Sequence, residues 1–175
     1  MTTPRIILWV VSLAAISFFL AMNLGTVPII RAEAGGMRIF DNRPTGYDFE
    51  TAKQFLSQLS PDGYALYTGL QRKIDTLFPT LMAISLTWAL WIMTDFLDKP
   101  YRIGICLAAF IGPMCDLTEN HFVGQMLALG PEAITEDLVS TASTFSVTKW
   151  VLDILATSTF LLLGWQWLLQ RSRRA

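Results

Sequence analysis

The chain is 175 residues long, 53% hydrophobic and only 15% charged, with a formal net charge of −1 at pH 7. A soluble domain carries about a quarter charged residues, whereas here the charges are segregated and leave apolar runs of about 20 residues, the length that crosses a bilayer. The near-neutral balance excludes a nucleic-acid-binding protein, which would present a basic face. No P-loop, no G-x-G-x-x-G and no C-x-x-C is present, which removes the common phosphate, dinucleotide, redox and zinc signatures.

Residues 6–30 form the first expected span, preceded by Arg5. Ala32-Glu33-Ala34 resembles a signal-peptide cleavage pattern, but the apolar run is longer than the roughly 7–15 residues of a signal h-region. Retention of this span is the expectation. Ser12, Ser17 and Asn23 within it suit interhelical hydrogen bonds.

Residues 31–75 are polar and are read as an extracytoplasmic helical cap. Gly35-Gly36, Asn42 to Pro44 and Thr45-Gly46 mark turns, where glycine supplies positive φ and proline a fixed φ. Asp48 is a plausible N-cap for a short helix whose apolar face is Phe49, Ala52, Phe55, Leu56 and Leu59. Ser60-Pro61 restarts a helix with the cap before a first-turn proline, and Tyr64, Tyr67, Leu70, Ile74 and Leu77 continue an apolar face.

The second span is expected over residues 78–97, with Pro79 at its entrance as a first-turn residue or kink. A short turn with Lys99 and Arg102 then leads to the third span, residues 103–129, so these two helices are antiparallel neighbours. Gly104, Ala108 and Gly112 recur at four-residue spacing, a pattern that lets helix backbones approach closely in lipid. Asp116 and Asn120 extend that row, with Glu119 beside it. Cys106 and Cys115, the only cysteines, are about 14 Å apart along a helix and on opposite faces, so they cannot pair and are expected in the core. Gly130-Pro131 ends the helix. The fourth span covers residues 144–169, with Ser146, Lys149, Asp153 and Thr157 in a polar stripe and Trp165 and Trp167 placed as interfacial aromatics.

The expected architecture is therefore an all-α integral membrane protein. It is a single four-transmembrane-helix bundle with short amphipathic helices in the loop between spans one and two. Arg5, Lys99, Arg102 and Arg171, Arg173 and Arg174 fall on one side of such a bundle, which by the positive-inside rule places both termini in the cytoplasm of a multi-pass cell-membrane protein. The first loop, with its own basic residues, weighs against that orientation.

Rise per residue brings Asp75, Asp116, Glu119 and Asp153 to a common depth in the outer third of the bilayer. Ionisable groups there are costly, face inward, and find partners; Arg72, Lys73 and Lys149 are available. The bland alternative is that the carboxylates only bind Lys149 or Arg72 and lock the bundle. The functional alternative is a pocket with Asp116 and Glu119 as acid–base groups and Asp75, Asn120, His121, Lys149, Asp153 and Arg72 as ligand-binding residues. An all-oxygen set from these acids suits a hard cation rather than zinc, but His121 points away from the Asp116–Glu119 face and no metal site is expected. The sequence specifies no cofactor.

Three functions fit. The leading one is a non-catalytic accessory subunit or small-ligand or lipid binder with an acidic pocket. The second is a membrane enzyme acting on a lipid or isoprenoid, with Asp116 or Glu119 as general acid or base. The third is a small oligomeric proton- or cation-coupled transporter. Membrane lipids are the expected partners, with a second membrane protein or another copy of the chain docking through Gly104, Ala108 and Gly112, and with no nucleic acid.

Overall fold

A computed structural model describes residues 3–172; the side chains of residue 168 and of 170–172 are not described. The basic cluster Arg171, Arg173 and Arg174 thus lies outside the described side chains. The protein is all-helical, with no strand among the described residues. Four of its helices are long and apolar enough to cross a membrane. These are α1 (Thr3–Glu33), α3 (Pro61–Met93), α4 (Lys99–Leu129) and α5 (Glu136–Ser172), and α2 (Phe49–Gln58) is a short helix between the first two.

Helix α4 is the central element. It packs against α3 on one side and α5 on the other, while α1 packs mainly on α3. Cys106 and Cys115 are consequently both buried, although they project from opposite faces. Gly112 lies where a Cβ would strike the Asp153 carboxylate and Leu152 of α5, so this glycine serves close packing within the chain. Gly104 meets nothing within 4 Å.

The cap segment obeys its local signals. Gly35, Gly36 and Gly46 have φ of 62°, 85° and 77°. The Asp48 side chain accepts from the Thr51 N–H at 2.8 Å and Ser60 from the Gly63 N–H at 3.0 Å, each satisfying a donor that the helix start leaves free. Helix α2 buries Ala52, Phe55 and Leu56. They pack with Phe40, Tyr67 and Met126 in a core that covers one end of the helix bundle.

Three features depart from expectation. The stretch from Pro61 does not form a separate surface helix; it runs into α3 through a π-helical turn at Tyr67–Gln71. That wider turn rotates the register, so Tyr67, Gln71 and Asp75 are buried while Leu70 and Leu77 of the expected apolar face are about half exposed. Pro79 stands in the helix interior rather than at its start. Lacking an N–H, it frees the carbonyl of Asp75, four residues earlier. Asn120 of α4 donates its Nδ2 to that carbonyl at 3.0 Å. A similar π-turn, Met22–Thr26, interrupts α1 just before Pro28. Ser17 and Asn23 donate to Leu13 and Phe19 of their own helix, not to a neighbouring one.

Asn120→Ala should lower stability by about 1–3 kcal/mol, the usual cost of stranding a buried acceptor. Thermal unfolding in mild detergent checks this, with Thr118→Ala, which removes only a bond to its own helix, as the near-neutral control. Equal unfolding of Asn120→Ala and wild type would show that the Asp75 carbonyl needs no partner.

Candidate functional site

The centre of the polar cluster is the Lys149 ammonium, on a residue only 5% exposed. It lies 2.6 Å from Asp116 Oδ1, 2.7 Å from Glu119 Oε2 and 3.6 Å from Asp41 Oδ1. Asp116 and Glu119 reach it together because positions i and i+3 share a helix face. Lys149 comes from the facing side of α5. Asp41 arrives from the short 3-10 turn Phe40–Asn42 in the cap.

The polar stripe of α5 also holds that turn in place. Trp150 Nε1 donates to the Asp41 carbonyl at 3.1 Å, Ser146 Oγ to the Arg43 carbonyl at 3.3 Å, and the Tyr47 N–H to Ser143 Oγ at 2.8 Å. A Cβ at Gly46 would run into Ser143. From α3, Tyr67 donates its hydroxyl to Asp41 Oδ2 at 2.9 Å. The two π-turns meet at the same level, where Thr26 donates to the Gln71 side-chain oxygen. Burial, followed by the nearby Glu119 and Asp41, raises the Tyr47 phenol well above its ordinary range, and Lys149 only partly offsets this. Tyr47 stays a neutral hydroxyl.

Beside this cluster is a cavity of about 360 Å³. Asp41, Asp75, Asp116, Lys149 and Asp153 line it, and its other walls include Phe19, Met22, Phe78, Met82 and Ile154. A second cavity of about 290 Å³ shares Phe19, Phe78, Met82 and Thr157 with the first and extends along α1 to Ser12. Together they make a cleft between α1, α3 and α5 with an acidic end and an apolar length.

The acceptors in this cleft outnumber the donors. Asp75, 5% exposed, makes no side-chain hydrogen bond or ion pair among the described residues. Asp41 Oδ1 and Asp153 Oδ1 have no hydrogen-bond partner.

The sequence-derived residues thus divide. Asp75, Asp116, Lys149 and Asp153 line the cavity. Glu119 is fully buried behind them against Lys149, and Asn120 holds the Asp75 backbone. Arg72 pairs with no carboxylate; it lies over Gly124 and donates to the Asn120 carbonyl. His121 is exposed and bonded to Gln125 at 2.9 Å, away from the cluster. Asp41, Tyr67, Gln71 and Trp150 join the site without having been expected there. Asp41 sits in an irregular loop where no periodicity reports burial, Tyr67 and Gln71 lie in the π-turn, and Trp150 meets the site through its bond to the Asp41 carbonyl.

Carboxylate oxygens of Asp41, Asp116 and Glu119 lie within 4.8 Å of one another, close enough to hold a cation. The Lys149 ammonium already stands among them. Chemically, the arrangement can hold a positive group, order hydrogen-bond donors against Asp75 and Asp153, and place an apolar chain along α1. No protein family, curated protein or solved structure matches this chain.

Lys149→Met should destabilise the protein by about 3–5 kcal/mol, because it strands buried charged partners. Adding Asp116→Asn and Glu119→Gln to that variant should recover part of the loss in thermal unfolding. A Lys149→Met protein as stable as wild type would show that the cluster is not held by this ion pair.

Proposed function

We propose that this is a multi-pass membrane protein that binds an amphiphilic small molecule or lipid in the cleft between α1, α3 and α5. The single observation that carries this reading is that an acidic pocket adjoins an apolar groove, the two sharing Phe19, Phe78, Met82 and Thr157 as walls. Membrane insertion is supported by the outward faces of the long helices. Trp9, Val10, Leu13, Leu24, Leu161 and Leu162 are 59–78% exposed, an arrangement that a hydrocarbon solvent favours.

The short basic segments support a cell-membrane protein with both termini in the cytoplasm. The cap and the acidic pocket then lie at the outer leaflet. Lipids are the natural ligands there, because they can enter sideways between α1 and α5 without crossing a polar barrier. Non-catalytic binding is favoured because Glu119, the better buried of the two candidate acid–base groups, is clamped by Lys149 and does not line the cavity. A second reading, a membrane enzyme on a lipid or isoprenoid, is favoured by one observation: Asp116 does reach the cavity. In it Asp116 alone would be the proton-transfer group.

The small-residue row of α4 offers less for a partner than its spacing suggests, since Gly112 faces α5. Docking of a membrane-protein partner or a second copy would use the Gly104 end.

Native mass spectrometry of the mildly solubilised protein tests the reading. Wild type should retain a lipid-sized ligand, and Met82→Trp, which fills the groove at its junction, should lose it without a fall in thermal stability. Equal retention by both variants, or none by either, contradicts the cleft as a binding site. A mass change of the retained ligand on incubation, abolished by Asp116→Asn, would favour the enzyme instead.

A further inference from the structure

The chemistry of the head group follows from the donor–acceptor balance at the acidic end, and this inference rests on the amphiphile reading above. We propose that the cleft selects an amphiphile bearing a primary ammonium group. Five carboxylates, those of Asp41, Asp75, Asp116, Glu119 and Asp153, surround one buried ammonium. Arg72, on the same helix as Asp75, is spent on the Asn120 carbonyl.

Lys149 donates to Asp116 and ion-pairs with Glu119, whose oxygens still lack a hydrogen-bond donor. Of the groups that line the cavity, Asp41 Oδ1 and Asp153 Oδ1 have no hydrogen-bond partner, and the Asp75 carboxylate has none among the described residues. These groups reach the cavity from three different elements, α3, the cap and α5. Asp75 is nine-tenths buried and unpartnered, so its desolvation is offset only when something donates to it. An anionic head would meet like charge. A hydroxyl could donate one bond and bring no charge. A trimethylated ammonium brings charge but no N–H. A primary ammonium brings both, with three donors, and charge-assisted hydrogen bonds of this kind are about twice as strong as neutral ones. Lys149 shows the fit: its ammonium is the same chemical group, already held by the neighbouring carboxylates.

The apolar part of the ligand is a single chain. From Ser12 to Met22, the stretch of α1 that borders the two cavities, the rise is about 15 Å. That length suits an alkyl chain of the size of dodecyl.

The test is equilibrium binding of four probes to the full chain in mild detergent: dodecylamine, dodecyltrimethylammonium, dodecanol and dodecanoate, with butylamine as the chainless control. Dodecylamine should bind at least about tenfold more tightly than each of the others, the ratio expected from one charge-assisted hydrogen bond. Asp75→Asn should remove about tenfold of the dodecylamine affinity and leave dodecanol unchanged. Asp153→Asn, at a half-buried position, should act in the same direction and serves where Asp75→Asn does not fold. Equal binding of all dodecyl probes would overturn the ammonium selection and leave the amphiphile reading standing. No binding of any probe, with Met82→Trp indistinguishable from wild type, would overturn both. Butylamine binding as tightly as dodecylamine would show a free-amine site and overturn the chain-bearing ligand.

Discussion

A single ammonium, that of Lys149, joins α5 to α4 through Asp116 and Glu119 and approaches the cap through Asp41. Groups of this kind are tolerated away from water only when paired and hydrogen-bonded. Their burial therefore requires the cap to close over the helix ends and α4 to sit between α3 and α5. The hydrogen bonds from Trp150, Ser146 and Ser143 to the cap backbone are the means by which α5 keeps that closure.

The irregularities of the backbone gather at the same level. Both π-turns, the interior Pro79 and the close approach at Gly112 surround the cluster. Each has a local cause. Together they have one effect: they turn Gln71, Tyr67 and Asp75 inward and bring the α5 backbone near α4. π-Helical turns are rare, appear mostly as single-turn bulges inside α-helices, and are frequent at functional sites. Below this level the helices are regular, and their packing is ordinary and apolar, around Leu90, Cys106, Ala109 and Ala156. The molecule thus has a specified, polar end and a plain one. The cleft spans both, which is why its two cavities differ in character.

The long helices and the main turns were legible in the sequence, because apolar length and residues such as Gly35, Gly46, Asp48 and Ser60 act locally. The meeting of Asp116 with Lys149 was also foreseeable, since depth along a helix follows from residue number and buried charges seek partners. The rest depended on contacts between distant segments. Asp41 carries no local sign that a turn will press it into a helix bundle. Gln71 joins Tyr67 in the buried face, and Leu70 and Leu77 leave it, through a π-turn that no periodicity announces. His121 follows Asn120 directly, yet one residue of helical rotation separates a buried position from an exposed one. Arg72 was expected to face carboxylates and instead found a backbone carbonyl, because Gly124 leaves room for its guanidinium there.

The most direct measurement of the central claim, that the cleft holds an amphiphile by its chain, is photo-crosslinking in native membranes with a lipid bearing a diazirine at the end of its acyl chain. Labelling should concentrate on cleft residues such as Ile16, Met82 and Phe160 and be lost in Met82→Trp. Labelling spread evenly over the outward residues Trp9, Leu24 and Leu162, and unchanged by that substitution, would contradict that claim.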